Sequence, residues 1–570
     1  MANIYWPEEK VFPRFSRPEY LDIVDIRNMD FFNDFKFLPL ITLQGLVNKH
    51  KPQIYIILRD EDELWLKLIR DENIPINKMD LNNVMEKYRD YCKGYIIYDP
   101  NVPDTLNLAN IMSGIYDTVI VNPRDISWIE GLGFKKYGDL RGRFKNRLEV
   151  YRWGYEELWP KCSHRLLVPM RPYPVSNPPR PLQIAVRDYA SALKLFIHYL
   201  DPHNVEELSL FKKFLKDMPE NSAILGWYKE CEHITVRLAS EYNKFVVVTT
   251  GAPHLVSNLT VWSGIDVKVK FKLPPLNLNK LGEDKVYVTF YINDGDNVQW
   301  DILMRKFWDD KYRGKIPIAW TVSPFLIDLA PLIMKYYAES MSENDTFVSG
   351  PSGTGYWYPN INPNYTEKFL DLARKYFERT GLKFTEILGE FLDGESLIHY
   401  SEKLNLLAIK LGYRGMDIFP YYVGKSPVPI IPGTVEYTDE KSTYGWLKAI
   451  ATVYRKRPLH VLVICIPWRF KNLEPLVNIV KKLSRDNDFN LINLHEFAAM
   501  LNPRYGIKLS KKILEEIKTK KMLEIAKHIE RNLKEAERKY DEGRWRESLS
   551  NIMTIYRIAK QYLGKIIINE

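Results

Sequence analysis

Cysteine is scarce: the 570 residues hold four, Cys92, Cys162, Cys231 and Cys465, far apart and without a C-x-x-C pair. That spacing excludes a zinc ribbon and a disulfide framework, and it fits a reducing compartment. Long apolar runs are missing too. No stretch approaches the roughly 18 apolar residues of a membrane span, and Glu8, Glu9 and Lys10 interrupt the place where the core of a signal peptide would lie. The expectation is a cytoplasmic protein with no membrane partner. The chain also lacks G-x-x-x-x-G-K-[ST], G-x-G-x-x-G, H-E-x-x-H and H-x-x-x-H. The strongest signals for nucleotide phosphate and for a two-histidine metal site are therefore absent, and neither a metal nor a cofactor is expected.

Charge of one sign is in small excess, and it is local. The formal net charge is +9, but from Pro503 onward 17 basic side chains face 10 acidic ones, which leaves only +2 for everything before. A nucleic-acid binder carries a basic footprint across its working face. Here the excess sits in a helical tail with Glu interleaved, so nucleic acid is not expected as a partner.

What is present is an ordinary globular composition, 45% hydrophobic, 27% charged and 13% aromatic, in a chain long enough for several domains. Two proline-rich breaks divide it. Pro169 to Pro181 (PMRPYPVSNPPRP) has six prolines in thirteen residues, and LPPLNLNKLGED runs from Leu273 to Asp284. Proline cannot donate to a helix or sheet ladder, so both read as extended linkers. Before the first break, PQIYIIL, GYIIYD and TVIVN alternate with helical patterns; between the breaks, PLQIAV, SAILGWY and KFVVVTT do the same. After the second, VYVTFYIND, KIPIAWTVS, DTFVSGPS, FTEILGEFLD, YRGMDIFPYY, PVPII, HVLVICIPW and FNLINL are separated by helical stretches. Seven or eight βα repeats of this length fit a β/α barrel, with an open doubly wound sheet as the alternative. From Lys508 the pattern is helical, two amphipathic stretches around Asp541, Glu542 and Gly543. The expected fold class is α/β, with three small N-terminal α/β subdomains, a C-terminal β/α barrel of seven or eight strands and a helical tail. The expected boundaries are 1–90, 91–168, a proline-rich linker over 169–181, 182–272, the barrel over 285–505 and a helical hairpin over 506–570.

In such a barrel the functional groups gather past the C-terminal ends of the strands. Asp294 and Asp296 close the first barrel strand in YINDGDNVQW, with Gly295 between them for a tight turn; Asn297 follows. In ILGEFLDGES, Glu390 reads as a carboxylate inside an apolar strand, costly unless paired or used, with Asp393 at its exit. Asp417 repeats the situation in YRGMDIFPYY. Acid pairs on a barrel rim suit glycoside hydrolysis, in which one carboxyl protonates the leaving oxygen and the other acts as nucleophile or as base for water. Asp294, Asp296, Glu390 and Asp417 are therefore the catalytic candidates. Trp320, Tyr356, Tyr358, Tyr421 and Trp468 fall near strand ends, where flat rings stack on sugar faces. With Asn297, Ser323, Ser352 and Asp393 they form the expected substrate-binding set. Ser352, in GPSGT, lacks the last glycine of a nucleophile elbow and reads as a turn residue rather than a nucleophile.

Gly353 to Pro359 spell GTGYWYP. This resembles the motif that names the GxGYxYP family of putative glycoside hydrolases. LQGLVNKHKPQIYI, RDYA, LGWYKECE, YINDGDNVQW and WTVSP are similar to that family's other blocks and stand in the family's order, covering about residues 20 to 505. The resemblance implies three small N-terminal α/β subdomains, a C-terminal barrel and a carbohydrate ligand. Two other readings compete with a glycosidase: a deacetylase-like barrel in which Asp294 and Asp296 hold a metal, and a non-catalytic carbohydrate-binding or scaffold protein. For the tail, the two readings are a cap on the barrel through its apolar stripe and a docking element for association.

Overall fold

The structure is a computed structural model that describes the chain except residues 1–3, 174, 177–178, 181–183, 229–230, 250–255, 296–297, 390–393, 413–418, 564–566 and 569–570. Three small parallel sheets come first. Leu21–Asp25 lies between Ile54–Ile57 and Ile76–Lys78, and Tyr95–Ile97 lies between Val119–Val121 and Lys136–Asp139. In the third sheet Ser163–Pro169 is flanked by Leu195–His198 and Ala223–Ile224, with Phe245–Val246 at the outer edge. Ser163–Pro169, immediately before the proline-rich segment, thus pairs with strands that follow that segment. Most of these strands are short β-branched runs buried on both faces, as parallel βα units require. The three units meet at Arg187–Leu193, a fully buried helix whose Arg187 guanidinium donates to the side-chain oxygens of Asn107 and Asn110 at 3.0 and 3.1 Å.

The large sheet is entirely parallel. Taking its strands in chain order, they are Val286–Ile292, Ile318–Val322, Asp345–Ser349, Phe384–Ile387, Ala408–Leu411, Ile430–Ile431, Val435–Glu436, Leu459–Cys465 and Phe489–Leu491. The first strand pairs along its whole length with the eighth; its other edge is shared by the ninth, at Val286–Val288, and the second, at Phe290–Ile292. Following the pairings outward, the path ends at Ile430–Ile431 on one side and Val435–Glu436 on the other. Only residues 432–434 separate these ends in the chain, a span of at most about 15 Å, so the sheet curls back on itself. Gly433 sits at this seam, where a Cβ would lie 2.2 Å from Cδ1 of Ile464 and 3.6 Å from the carbonyl oxygen of Gly412. Ile430 to Glu436 is therefore one interrupted strand that leaves the fifth strand and joins the eighth.

Side chains alternate across this wall. Tyr287, Tyr291, Ala319, Val348, Phe384, Ala408, Ile431 and Leu462 belong to the inner cluster, while Val286, Val288, Phe290, Ile318, Trp320 and Phe347 belong to the outer one, under the helices. The fifth strand lies a few residues upstream of its expected place in YRGMDIFPYY. The strand is Ala408–Leu411, and its internal Lys410 masks the apolar run; residues 413–418 lie outside the described set. Likewise, the strand in FTEILGEFLD ends at Ile387.

The tail holds three helices rather than two: Pro503–Thr519, Leu523–Asp541 and Trp545–Leu563. The first starts earlier than the pattern suggests, capped by Asn502, whose side chain accepts from the Tyr505 amide at 3.1 Å. It ends where Lys521 takes a left-handed φ of 58°, with neither glycine nor proline to announce it. Ile513, Ile517, Ile529, Leu533, Ile552 and Tyr556 are buried in one cluster with Leu276, Leu278, Tyr287 and Phe497. Arg557 bonds the Gly282 carbonyl and Lys560 pairs with Glu283, just before the first strand begins. The tail thus packs at the end of the barrel where the strands start. Among the described residues no helix is long and apolar enough to cross a membrane.

Candidate functional site

Three strand ends converge at the opposite end. Asn293 extends the first strand by donating its amide to the Cys465 carbonyl at 3.1 Å. Asp294 then adopts φ 91°, a conformation strained for any residue with a Cβ. Gly295 has another reason to be glycine: a Cβ there would stand 2.5 Å from Cβ of Thr321 and 2.6 Å from both the Thr321 carbonyl carbon and the Val322 nitrogen. The strain expected of Gly295 therefore falls on Asp294, and Gly295 supplies the close approach. Gly350, at the exit of the third strand, packs on Gly295 in turn.

The Asp294 carboxyl is held among protein groups. Its Oδ2 is sealed from solvent and has no hydrogen-bond partner among the described residues. Burial pushes its pKa up to about 7; a hydrogen bond from the Trp468 indole works against that, and the charges of Glu232 and Glu386 add to it. Trp468 stands in the turn Pro467–Arg469 after the eighth strand and meets the buried Trp300 edge to face at 5.7 Å. Glu386 comes from the fourth strand and points into the barrel, where it pairs with Lys410 and accepts from the Tyr291 hydroxyl at 3.0 Å. Burial lowers the Lys410 pKa, and Glu386 opposes that.

Glu232 comes from a different domain. It opens the helix Glu232–Glu241 of the third unit, and its Oε1 accepts from the Tyr356 hydroxyl at 2.8 Å. The GTGYWYP loop that carries Tyr356 is stitched to the edge of the third sheet. Val246 and Tyr356 exchange two backbone hydrogen bonds of 2.8 Å, and a Cβ on Gly355 would stand 2.5 Å from the Phe245 ring. Trp357 is buried and donates to the Tyr400 hydroxyl at 2.9 Å, and the Tyr358 amide donates to Oγ of Ser240 at 2.9 Å. This loop fastens the third domain to the barrel.

Of the residues expected at the site, Asp294 and Trp468 are brought together, and Tyr356 bonds Glu232, whose charge acts on Asp294. Tyr358 is buried beside Tyr356, with ring centroids 5.8 Å apart. Ser352, with φ 53°, is a turn residue; its Oγ donates to the carbonyls of Trp357 and Leu388 at 2.9 and 3.2 Å. Ser323 follows the second strand, and its amide donates to Asp301 at 3.2 Å. Trp320 lies on the outer face of the wall, where its indole donates to Asp345 at 2.8 Å beneath the helices. Tyr421 pairs through its backbone with Ile430, where the sixth strand begins. Asp296, Asn297, Glu390, Asp393 and Asp417 lie outside the described residues. Sequence reasoning missed Glu232, Glu386 and Lys410. The signal for the last two was a charge at an inward position of an apolar strand, the argument made for Glu390 four residues too late. Among the described residues no three His, Cys, Asp or Glu side chains are grouped to hold a metal ion.

Comparison with known proteins gives a consistent pattern. Family models match four consecutive stretches: the GxGYxYP_N first domain over 21–91, the GxGYxYP_N second domain over 92–162, the GxGYxYP third domain over 172–264 and the "GxGYxYP putative glycoside hydrolase C-terminal domain" over 284–502. Among solved structures, a putative hydrolase from Bacteroides thetaiotaomicron VPI-5482 superposes with a TM-score of 0.75 at 22% identity, over 88% of this chain and 99% of its own. That likeness establishes the fold. A putative polysaccharide deacetylase from Mycobacterium smegmatis aligns over 39% of this chain and 91% of its own, with 10% identity and a TM-score of 0.29. No curated protein matches the sequence.

Proposed function

The chain belongs to the GxGYxYP family, and from that premise we propose that it is a glycoside hydrolase whose general acid is Asp294. The observation that carries this reading is the Asp294 carboxyl. It sits at the exit of the first barrel strand, holds its proton to about pH 7 and, with Oδ2 sealed, remains partly exposed as a residue. A general acid must be protonated at the working pH and must have a free oxygen for the leaving group, and burial supplies the first condition. The exposed Trp468, bonded to the same carboxyl, offers an aromatic face beside it for a sugar ring. Glu386, neutralised by Lys410, is assigned a supporting role in shaping the field inside the barrel.

The proton leaves Asp294 for the glycosidic oxygen as the bond between that oxygen and the anomeric carbon breaks. Aryl glycosides test this step. An Asp294→Asn variant should lose turnover on substrates with a poor leaving group, which need the proton, and keep much of it on dinitrophenyl glycosides, which do not. Equal loss on both would remove Asp294 from the acid role.

A further inference from the structure

We propose that Glu232, carried by the third α/β unit, is the second carboxyl of the reacting centre, so that the site is assembled from two domains rather than from the barrel alone. This rests on the hydrolase reading of Asp294 and adds to it the residue, and the domain, that supply the other acid.

Glu386 inside the barrel has Lys410, and Asp328, past the end of the second strand, has Arg379 as ion-pair partner. Asp294 and Glu232 have no Lys or Arg partner among the described residues; Glu232 has one hydrogen bond, from Tyr356 to Oε1, and Asp294 has the bond from Trp468. A carboxylate held at a domain junction without a cation is unfavourable, and backbone bonds bring the two segments together: Tyr356, which bonds Glu232, pairs with Val246, and the Val248 carbonyl accepts from the Val298 amide, four residues after Asp294, at 2.8 Å. The fold nonetheless fixes both. Glu232 is set at the first position of its helix, its phenolic partner is clamped by the two backbone bonds between Tyr356 and Val246, and Gly355 permits that clamp by admitting Phe245. Asp294 is fixed by a strained backbone and by the packing of Gly295 on Thr321. Among the described residues, the groups that act on Asp294 are Glu232 from the third unit, Glu386 from the barrel interior, tied to Lys410 and Tyr291, and Trp468 from the turn after the eighth strand.

Glycoside hydrolysis uses two carboxyls, one that protonates the leaving oxygen and one that acts as base for water or as nucleophile. As Asp294 gives its proton to the leaving oxygen, Glu232 takes the proton of the attacking water while the water oxygen bonds to the anomeric carbon. If instead Glu232 bonds to that carbon itself, a later water displaces it and returns the proton to Asp294. In both routes one glycosidic bond and one water are consumed, and no other reactant is needed.

The test variant is Glu232→Gln, which keeps an acceptor for Tyr356. Carbon-detected NMR of the Asp294 carboxyl should show its titration midpoint falling by about half a pH unit or more in the variant, because a neighbouring negative charge is gone. With dinitrophenyl glycosides of glucose, galactose, mannose and N-acetylglucosamine, turnover should drop about 100-fold or more while the melting temperature stays close to that of the wild type. Unchanged turnover overturns the proposal, and so does an unchanged Asp294 midpoint. If the wild-type protein hydrolyses none of these glycosides, the hydrolase reading fails by itself. The titration then decides the pairing alone: a lowered midpoint upholds it and an unchanged one rejects it.

Discussion

The Tyr356 hydroxyl donates to Oε1 of Glu232 at 2.8 Å, joining the GTGYWYP loop of the barrel to the first residue of a helix in the third domain. The motif's first tyrosine is thus engaged with protein. Replacing it with Phe removes one hydrogen bond to a charged acceptor, which contributes about 1.5 to 3 kcal/mol. Tyr356→Phe should lower the melting temperature measurably by calorimetry and also slow turnover, since Glu232 loses its anchor. Full stability with full activity would show that the bond contributes nothing.

Asp294 gives a pH signature with a defined sign. The folded protein keeps this proton up to about pH 7, whereas an unfolded aspartate releases it near 3.8. Between those values the folded state binds more protons, so this group makes stability fall as pH rises across that window. The full effect is at most about 4 kcal/mol. Urea melts of Asp294→Asn against wild type should show the variant gaining relative stability from about pH 4 to pH 7 and the gap closing below. A constant gap across pH would mean that Asp294 ionises normally.

Turnover should decline as pH climbs through about 7, when Asp294 loses its proton. In Gly295→Ala the added methyl would collide with the Thr321 backbone at 2.6 Å and displace Asp294. A misplacement of about 1 Å costs on the order of 100-fold in rate, so this variant should fold and yet be nearly inactive. Normal kcat in Gly295→Ala would show that the Asp294 turn tolerates the shift.

Inside the barrel, Lys410→Met should be far worse than a double change. Alone it leaves the Glu386 charge buried without its cation, a loss of about 3 to 5 kcal/mol. Adding Glu386→Leu removes the orphaned charge and should restore most of the denaturation midpoint. A double variant as unstable as the single one would mean that packing, not charge, is at stake.

The tail should behave as part of the barrel's core. Ile552 is fully buried between the last helix and the rest of its cluster, and Ile552→Ala should cost about 2 to 5 kcal/mol. Deleting residues 503–570 should give aggregation or a much lower melting temperature. A soluble truncation with unchanged melting would contradict this.

Much of the architecture was legible because parallel strands in βα units advertise themselves as apolar runs between helical periods. VYVTFYI and HVLVIC are such runs, and both are strands where expected. The pattern failed where a strand carries a functional charge. AIKL and FTEI are short, and their Lys410 and Glu386 break the apolar run, so the reading slid downstream to YRGMDIFPYY and to Glu390. Trp320 was assigned to the rim because it is near a strand end; the alternation of the strand instead turns it outward to Asp345. Glu232 had no local signal, since an acid at a helix start reads as a favourable end charge. Its meaning comes from a partner 124 residues away.

The seam at Pro432, Gly433 and Thr434 gives the barrel a covalent clasp in place of one row of ladder hydrogen bonds. A hydrogen-bonded seam can slip by a residue or unzip, but a peptide link of fixed length can only flex. The rim is therefore a hoop of nearly constant girth, hinged at one short strap.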